Sequence, residues 1–309
     1  MDMDDAMNAL KHRSALQKRQ DRWGILFAVP ALLFFSIFSF YPILNALYTS
    51  FYNKQVLSLN PPVFIGLENY RYLFASADFW NSIRATAVFT LGTFLALLVV
   101  SLLVSALLSG LKRGSKFLQM AYYSPAVLSS VVAATIWLLI FDPRGLANQW
   151  INFVMSSPGV DHMWFVNPAA VQLSTMFVYF WKYIGYFVIV CLAGMASIPA
   201  GLFEAARIDG AGRWRSYWSI TFPLLRPTVV LVSIMSMLQC LKTFSTQYLF
   251  SHAGAQQNPI NVITLNIYNT GIRDHRIGRA SAMSIILLVI MVILTWIQFR
   301  ATRSDEVRY

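Results

Sequence analysis

The chain has 309 residues, of which 57% are hydrophobic and only 12% are charged, and its mean hydropathy is +0.55. Soluble domains carry about 25% charged residues, so this composition excludes an ordinary water-soluble protein and indicates an integral membrane protein. The formal net charge of +11 is compatible with nucleic-acid binding. The basic residues are grouped between apolar runs, however, and that pattern reports membrane topology, so no nucleic-acid partner is expected.

Six apolar runs are long enough to cross a hydrocarbon core of about 30 Å, which takes roughly 20 helical residues. Backbone polar groups in lipid must be bonded within the protein, and continuous runs of this length favour helices over barrel strands. The first run is too long for a signal peptide and lacks a small-residue cleavage site. The predicted spans lie at about 25–48, 85–108, 122–141, 171–198, 228–250 and 280–299. We therefore predict an all-α membrane protein with six transmembrane helices.

Basic residues mark one side of the predicted membrane domain. They precede the first span, lie between the second and third and between the fourth and fifth, and follow the sixth. The residues are Lys11, Arg13, Lys18, Arg19, Arg22, Lys112, Arg113, Lys116, Arg207, Arg213, Arg215, Arg226, Arg300, Arg303 and Arg308. The positive-inside rule then predicts a cytoplasmic N-terminal tail at 1–24, a membrane domain at 25–300 and a cytoplasmic C-terminal tail at 301–309.

The predicted outer loops contain aromatic and basic residues with more than one interpretation. Tyr70, Tyr72, Phe74 and Trp80 could form an interfacial aromatic belt or meet a soluble partner. Arg273, Arg276 and Arg279 could lie in a solvated loop, contact a partner or begin the sixth span. Cys191 and Cys240 fall inside spans and are predicted to be small packing residues. The four histidines lack the spacing of a metal site.

Polar and aromatic residues cluster inside the fourth and fifth predicted spans. Strongly polar groups within a span are costly and are candidates for function. Aromatic faces suit the C–H surfaces of sugars, and amide, hydroxyl or ammonium groups suit their hydroxyls. The candidate pathway residues are Tyr179, Lys182, Tyr183, Tyr186, Gln239, Lys242, Thr243, Thr246 and Gln247.

Helical spacing predicts that Gln239, Lys242 and Thr246 share one side of the fifth span. Two lysines without an intramembrane carboxylate would also suit an anionic substrate. Alternatively, the lysines extend to the membrane surface, or the polar groups only join helices.

A polar stretch at 199–227 separates the fourth and fifth spans. Pro199 ends the fourth span, good helix formers run from Ala200 to Asp209, and Gly210 and Gly212 allow a sharp turn. A second helical pattern then leads into the fifth span. By itself, this stretch could be an interfacial amphipathic helix with tryptophans among headgroups and arginines on phosphates.

The string EAARIDGAGRWRSYWSITFPLLRP in this stretch resembles the EAA loop of permease subunits of bacterial ATP-binding cassette importers. It is most similar to the form found in carbohydrate-uptake permeases of the maltose and glycerol-phosphate type. Phe222 stands where the general pattern has leucine. The segments FIGLENYRYLF and YYSPAVLSSVVAATIWLLIF also resemble this family, whereas SHAGAQQNP in the third outer loop departs from it. The coupling residues are Glu204, Ala205, Ala206, Asp209, Gly210, Ile220 and Pro223.

The resemblance implies the type I ABC importer permease fold, a bacterial inner membrane location and a division of labour. The EAA segment would form a coupling helix that docks in a groove of a separate ATPase. The chain has no G-x-x-x-x-G-K-[ST] phosphate loop, so it is expected to be a non-enzymatic subunit without a cofactor of its own. ATP and Mg are expected on two ATPase partners. The other implied partners are a second homologous permease, an extracytoplasmic solute-binding protein and membrane lipid, and the implied substrate is a neutral or acidic sugar or oligosaccharide.

Two other functions are weighed against this one. An ion-coupled secondary carrier or channel is expected to carry intramembrane acidic residues, and none of the 13 Asp and Glu residues falls within the six predicted spans. An integral membrane enzyme is expected to show a nucleophile with a base or a metal cluster, and neither stands out.

Overall fold

The computed structural model of the protein describes residues 20, 23–111 and 113–303. The predicted tails at 1–24 and 301–309 therefore lie mostly outside the described residues, together with all of their basic residues except Arg303. In chain order the main elements are α1 (Trp23–Ser50), β1 (Tyr52–Asn53), β2 (Val63–Phe64), α2 (Glu68–Ala75), α3 (Ala77–Ser109), α4 (Ser115–Val127), α5 (Ser130–Ile140), α6 (Leu146–Val154), α7 (Pro168–Ala196), α8 (Ala200–Ile208), α9 (Arg226–Leu241), α10 (Ser245–His252), α11 (Ile263–Tyr268) and α12 (Ile277–Arg303).

Five stretches of the described chain are long and apolar enough to cross a membrane. They are α1, α3, α7, α12 and the 27-residue stretch Arg226–His252 that contains α9 and α10. The helices α4 and α5 meet this requirement only as a pair, and they meet at an angle of 98°. The six predicted spans are therefore found when this bent pair is counted as one.

The prediction of one continuous third span at 122–141 is wrong. The helical segment begins earlier, at Ser115, and breaks after Val127. Pro125 in the last turn of α4 has no N–H to donate, and Leu128 is extended. Ser129 then caps α5, since its Oγ accepts a hydrogen bond from Val132 N at 3.2 Å.

The fifth span is also interrupted, which corrects the prediction of a single helix at 228–250. Helix α9 ends at Leu241, α10 begins at Ser245, and Phe244 between them has φ −147°. The carbonyl of Thr243 in this gap accepts a hydrogen bond from the hydroxyl of Thr264 in α11. Non-helical backbone at membrane depth is tolerated only where the protein satisfies it in this way or where it lines a cavity.

Helix α7 lies at the centre of the molecule. Phe187, Val188 and Cys191 are fully buried in one apolar cluster with α3 and α9. Small buried hydroxyl residues on α3, such as Ser101 and Ser105, let the helices approach closely. Cys191 and Cys240 are both buried free thiols, in keeping with the predicted packing role.

A hairpin and the helix α2 cover one end of the bundle. Asn69 donates from Nδ2 to the carbonyls of Ser50, at 2.7 Å, and Tyr52, at 3.1 Å, which ties α2 to the end of α1. Arg279 lies in the first turn of α12, and its guanidinium stacks 3.5 Å from the ring centroid of Tyr72. Arg279 therefore begins the sixth span, and Tyr72 serves as its contact within the chain.

Candidate functional site

A cavity of about 300 Å³ lies where the two broken spans meet α7. The two breaks are far apart in sequence, but they bring non-helical backbone and polar side chains to the same point in the bundle. Its lining residues are Ser130, Tyr179, Lys182, Tyr183, Gln239, Lys242, Thr243, Phe244, Ser245 and Thr246.

Most of the predicted pathway residues line this cavity, but Tyr186 and Gln247 are not among its lining residues. Tyr186 packs edge-on against Phe187, with ring centroids 5.2 Å apart. Gln247 is fully buried, and its Oε1 accepts a hydrogen bond from Thr243 Oγ1 at 2.9 Å. Since α9 and α10 are separate, Gln239 and Thr246 reach the cavity from different helices and not from one continuous face.

Three lining residues, Ser130, Phe244 and Ser245, are not among the candidate pathway residues predicted from the sequence. All three lie beside a break that hydropathy alone does not reveal. The signal for the first was the segment SPAVLSS, in which a proline is followed by two serines that can start a new helix. Phe244 had no comparable signal, because the run LKTFST does not contain proline or glycine.

Lys182 is turned toward the broken third span. Its Nζ donates to the carbonyl of Leu128 at 2.6 Å and lies 3.4 Å from the carbonyl of Ala126. The side chain is 6% exposed and also lies 4.7 Å from the ring centroid of Tyr183. Carbonyls at a helix C-terminus lack helical partners and carry partial negative charge, so Lys182 caps α4.

Lys242 has a different environment from Lys182. It is exposed, and among the described residues no carboxylate or carbonyl pairs with its ammonium group. It also lines a larger groove of about 870 Å³ that runs between α9 and α12 and includes Trp296 and Arg300. Lys242 is therefore a cation at the cavity edge that remains available to a ligand.

Aromatic rings and unpaired polar atoms form the rest of the cavity wall. The rings of Tyr179 and Tyr183 lie 4.6 Å apart, and Phe244 stacks on Tyr248 at 5.3 Å. Gln239 Oε1 is buried without a hydrogen-bond partner among the described residues. A buried acceptor of this kind beside aromatic faces suits a ligand that offers both hydroxyl donors and C–H surfaces.

The stretch at 199–227 projects a short helix away from the bundle. Helix α8 carries Glu204 and Ala205 on its exposed side, whereas Ala206 is buried. Ile208, near the end of the same helix, is 88% exposed. The helix predicted from Ala200 is therefore present and ends at Ile208.

Gly210 ends α8 in a left-handed conformation with φ +75°. Its N–H donates to the carbonyl of Arg207 at 3.1 Å, and that of Ala211 donates to the carbonyl of Ala206 at 2.8 Å. These two bonds form a Schellman motif, which favours glycine at this position. Asp209, the residue before it, is exposed.

Two further motif residues lie in the return toward the membrane. Short helical turns occupy Arg213–Ser216, Tyr217–Thr221 and Phe222–Leu224 before α9 begins. Ile220 is half-buried in the middle turn, which is a π-helix, and Pro223 is exposed in the last one. The predicted helix after Gly212 is thus present, with a π turn that the sequence pattern did not predict.

The chain is similar to membrane components of known transport systems. Residues 98–304 match the family described as "Binding-protein-dependent transport system inner membrane component". The chain is 30% identical to the probable starch degradation products transport system permease protein AmyD of Thermoanaerobacterium thermosulfurigenes, over 92% of this chain and 95% of that protein. It is 29% identical to the sn-glycerol-3-phosphate transport system permease protein UgpA of Agrobacterium fabrum, over 89% and 92% respectively.

The fold is similar to a chain in the crystal structure of a bacterial ABC transporter involved in the import of the acidic polysaccharide alginate. The TM-score is 0.79 and the identity is 24%, with 94% of this chain and 99% of that chain covered. This similarity shows the type I importer permease fold.

Proposed function

We propose that this chain, which belongs to the family of binding-protein-dependent transport system inner membrane components, is the transmembrane permease subunit of an ABC importer for a sugar or oligosaccharide. Both termini face the cytoplasm. A second homologous permease completes the pathway in the lipid bilayer, two ATPase subunits bind ATP and Mg, and an extracytoplasmic binding protein delivers the substrate. The observation that carries the proposal is the cavity of aromatic and polar side chains at the two broken spans.

The projecting helix α8 is the proposed coupling helix. It combines an exposed carboxylate at Glu204, a small exposed residue at Ala205 and the exposed apolar side chain of Ile208. Small side chains allow close approach to a groove, and a carboxylate can pair with a basic residue of the ATPase. The glycine turn at Gly210 fixes the angle at which α8 leaves the return segment.

Copurification tests the coupling role. We expect Glu204→Lys to reverse the charge on the exposed side of α8, to reduce ATPase subunits bound to the purified permease and to abolish uptake. Lys116→Glu is the control, since it changes a charge on the same proposed side of the membrane, outside α8. Normal transport by the Glu204 variant would exclude the coupling role, and mass spectrometry that finds no ATPase with the parent chain would favour an ion-coupled carrier instead.

The substrate class follows from the cavity wall. Tyrosine faces, the unpaired Gln239 acceptor and the hydroxyls of Ser130 and Thr246 suit a polyhydroxylated ring. One named relative supports the same class, since it is described as a probable permease of a transport system for starch degradation products.

The available ammonium group of Lys242 favours an acidic substrate. Lys242 is exposed at the cavity edge, where a bound carboxylate or phosphate would give its ammonium group a charged hydrogen-bond partner. The test compares uptake of neutral and uronate oligosaccharides of equal length by proteoliposomes that contain the whole transporter. We expect Lys242→Gln to reduce uptake of the acidic substrate only, and equal loss of both would contradict a role in charge selection.

A further inference from the structure

The helix α6 (Leu146–Val154) has its polar and apolar sides reversed relative to a water-facing surface helix. Its outward side carries Leu146, Trp150, Phe153 and Val154, of which Trp150 is 67% and Phe153 80% exposed. Asn148, in contrast, is 2% exposed on the inward side. The helix contains no charged residue. A surface helix in water normally shows the opposite arrangement.

Hydrogen bonds hold the inward side in place. Asn148 donates from Nδ2 to the carbonyl of Pro143 at 2.9 Å and to Asp161 Oδ1 at 3.1 Å. Its Oδ1 accepts from Trp164 Nε1 at 2.7 Å. One turn later, Asn152 donates to the carbonyl of Val160 at 2.9 Å. Rotation of α6 to hide its apolar side would break this network, so the exposure is a fixed property of the fold.

The same network fixes α6 at the end of the bent pair. The ring of Trp164, which donates to Asn148, also packs on Phe141 with centroids 5.1 Å apart. Phe141 is the C-cap of α5, and α6 follows after the short turn at 141–145. The neighbouring Phe165 contacts Phe250 at the end of the fifth span, with centroids 5.9 Å apart. Helix α6 is thus held at the level where two membrane segments end.

We propose that the outward side of α6 lies in the lipid headgroup layer and anchors this loop to the membrane surface. Tryptophan and phenylalanine on an uncharged helical side, beside the ends of membrane spans, match the chemistry of the boundary between headgroups and acyl chains. The exposed polar residue of the helix itself is the uncharged Gln149, whose side chain donates to the carbonyl of Arg144 at 3.0 Å. The exposed charged residues nearby, Asp142, Arg144 and Asp161, lie in the turns that flank α6.

Fluorescence quenching in proteoliposomes of the whole transporter tests this contact. The variant Phe153→Cys is labelled with the polarity-sensitive dye NBD. The matched control is Val160→Cys, because Val160 is 46% exposed and its carbonyl faces the inward side of α6. Cys191 and Cys240 are buried, so labelling of the parent chain measures the background. The quenchers are nitroxide-labelled phosphatidylcholine in both leaflets and iodide in the water on both sides.

We expect the nitroxide lipid to quench the dye at position 153 several times more strongly than at 160, and iodide to show the reverse order. Equal quenching by iodide at both positions would overturn the proposal. Protection of position 153 from both quenchers would also overturn it, since the helix would then be covered by protein. If that protection appears only after the binding protein is added, the surface is a docking site for that protein. Because both leaflets and both aqueous sides carry quencher, these outcomes do not depend on the proposed topology or transport function.

Discussion

Replacement of Lys182 by methionine is expected to destabilise the fold. Methionine keeps the length and most of the volume of the side chain but cannot donate to the carbonyls of Leu128 and Ala126. These carbonyls end α4 at the 98° break and would be left without their partner. The loss should therefore appear in the stability of the broken third span.

The magnitude follows from the two contacts. A hydrogen bond to a charged group contributes about 1.5–3 kcal/mol, and only the contact with Leu128, at 2.6 Å, is short enough for the full value. Removal of a buried cation recovers part of this loss, because its desolvation no longer opposes folding. We expect a net loss of about 2 kcal/mol, which corresponds to a decrease of roughly 3 °C in the unfolding temperature of a chain of this size.

The assay is thermal unfolding of the purified full chain in one detergent, with Lys242→Met as the matched control. The ammonium group of Lys242 has no acceptor among the described residues, so its loss should change the free energy of unfolding by less than about 0.5 kcal/mol. An unfolding temperature for Lys182→Met equal to that of the parent would refute the capping role. A larger loss for the Lys242 variant than for the Lys182 variant would refute it too.

The other predictions use matched pairs of residues. Gly210→Ala should reduce ATPase binding and uptake, because alanine is strained at φ +75°, whereas Gly212→Ala has open space and an ordinary backbone and should leave both unchanged. Gly185→Ala should lower the unfolding temperature, because a Cβ there would strike the backbone carbonyl of Tyr122; Gly92→Ala, which meets only the flexible end of Met176 at 3.3 Å, should be tolerated. Asn148→Ala should loosen the loop around α6 and increase amide hydrogen exchange there, and unchanged exchange would contradict the role given to its hydrogen bonds.

Local chemistry made the projecting loop predictable. Pro199 and Pro223 restrict the backbone, and Gly210 allows a left-handed conformation. These effects depend little on distant residues. A few neighbouring residues therefore determine that α8 ends before Gly210. The observed bounds of the helix agree with those predicted from the sequence. Apolar length alone likewise indicated the six spans.

The interruptions in the third and fifth spans depended on distant partners. A hydropathy average over a window of residues does not show whether each carbonyl in that window accepts a hydrogen bond from a helical N–H. The break after Val127 is stabilised by Lys182 from α7, and the break at Thr243 by Thr264 from α11. Such contacts arise only once the bundle has formed, so the segment around Thr243 gives no sign of its break, and the proline and serines at 124–130 indicate a possible break without determining it.

The two breaks also decide how this membrane domain can deform. Helix α5 has 11 residues and α10 has 8, and each joins the rest of its span through a short non-helical link. A long continuous helix is stiff, and bending it disturbs its ladder of hydrogen bonds. A short rod on a link can swing as a rigid lever and leave that ladder intact. The cavity lies beside both links, so rotation of either short helix about its link would move residues of the cavity wall.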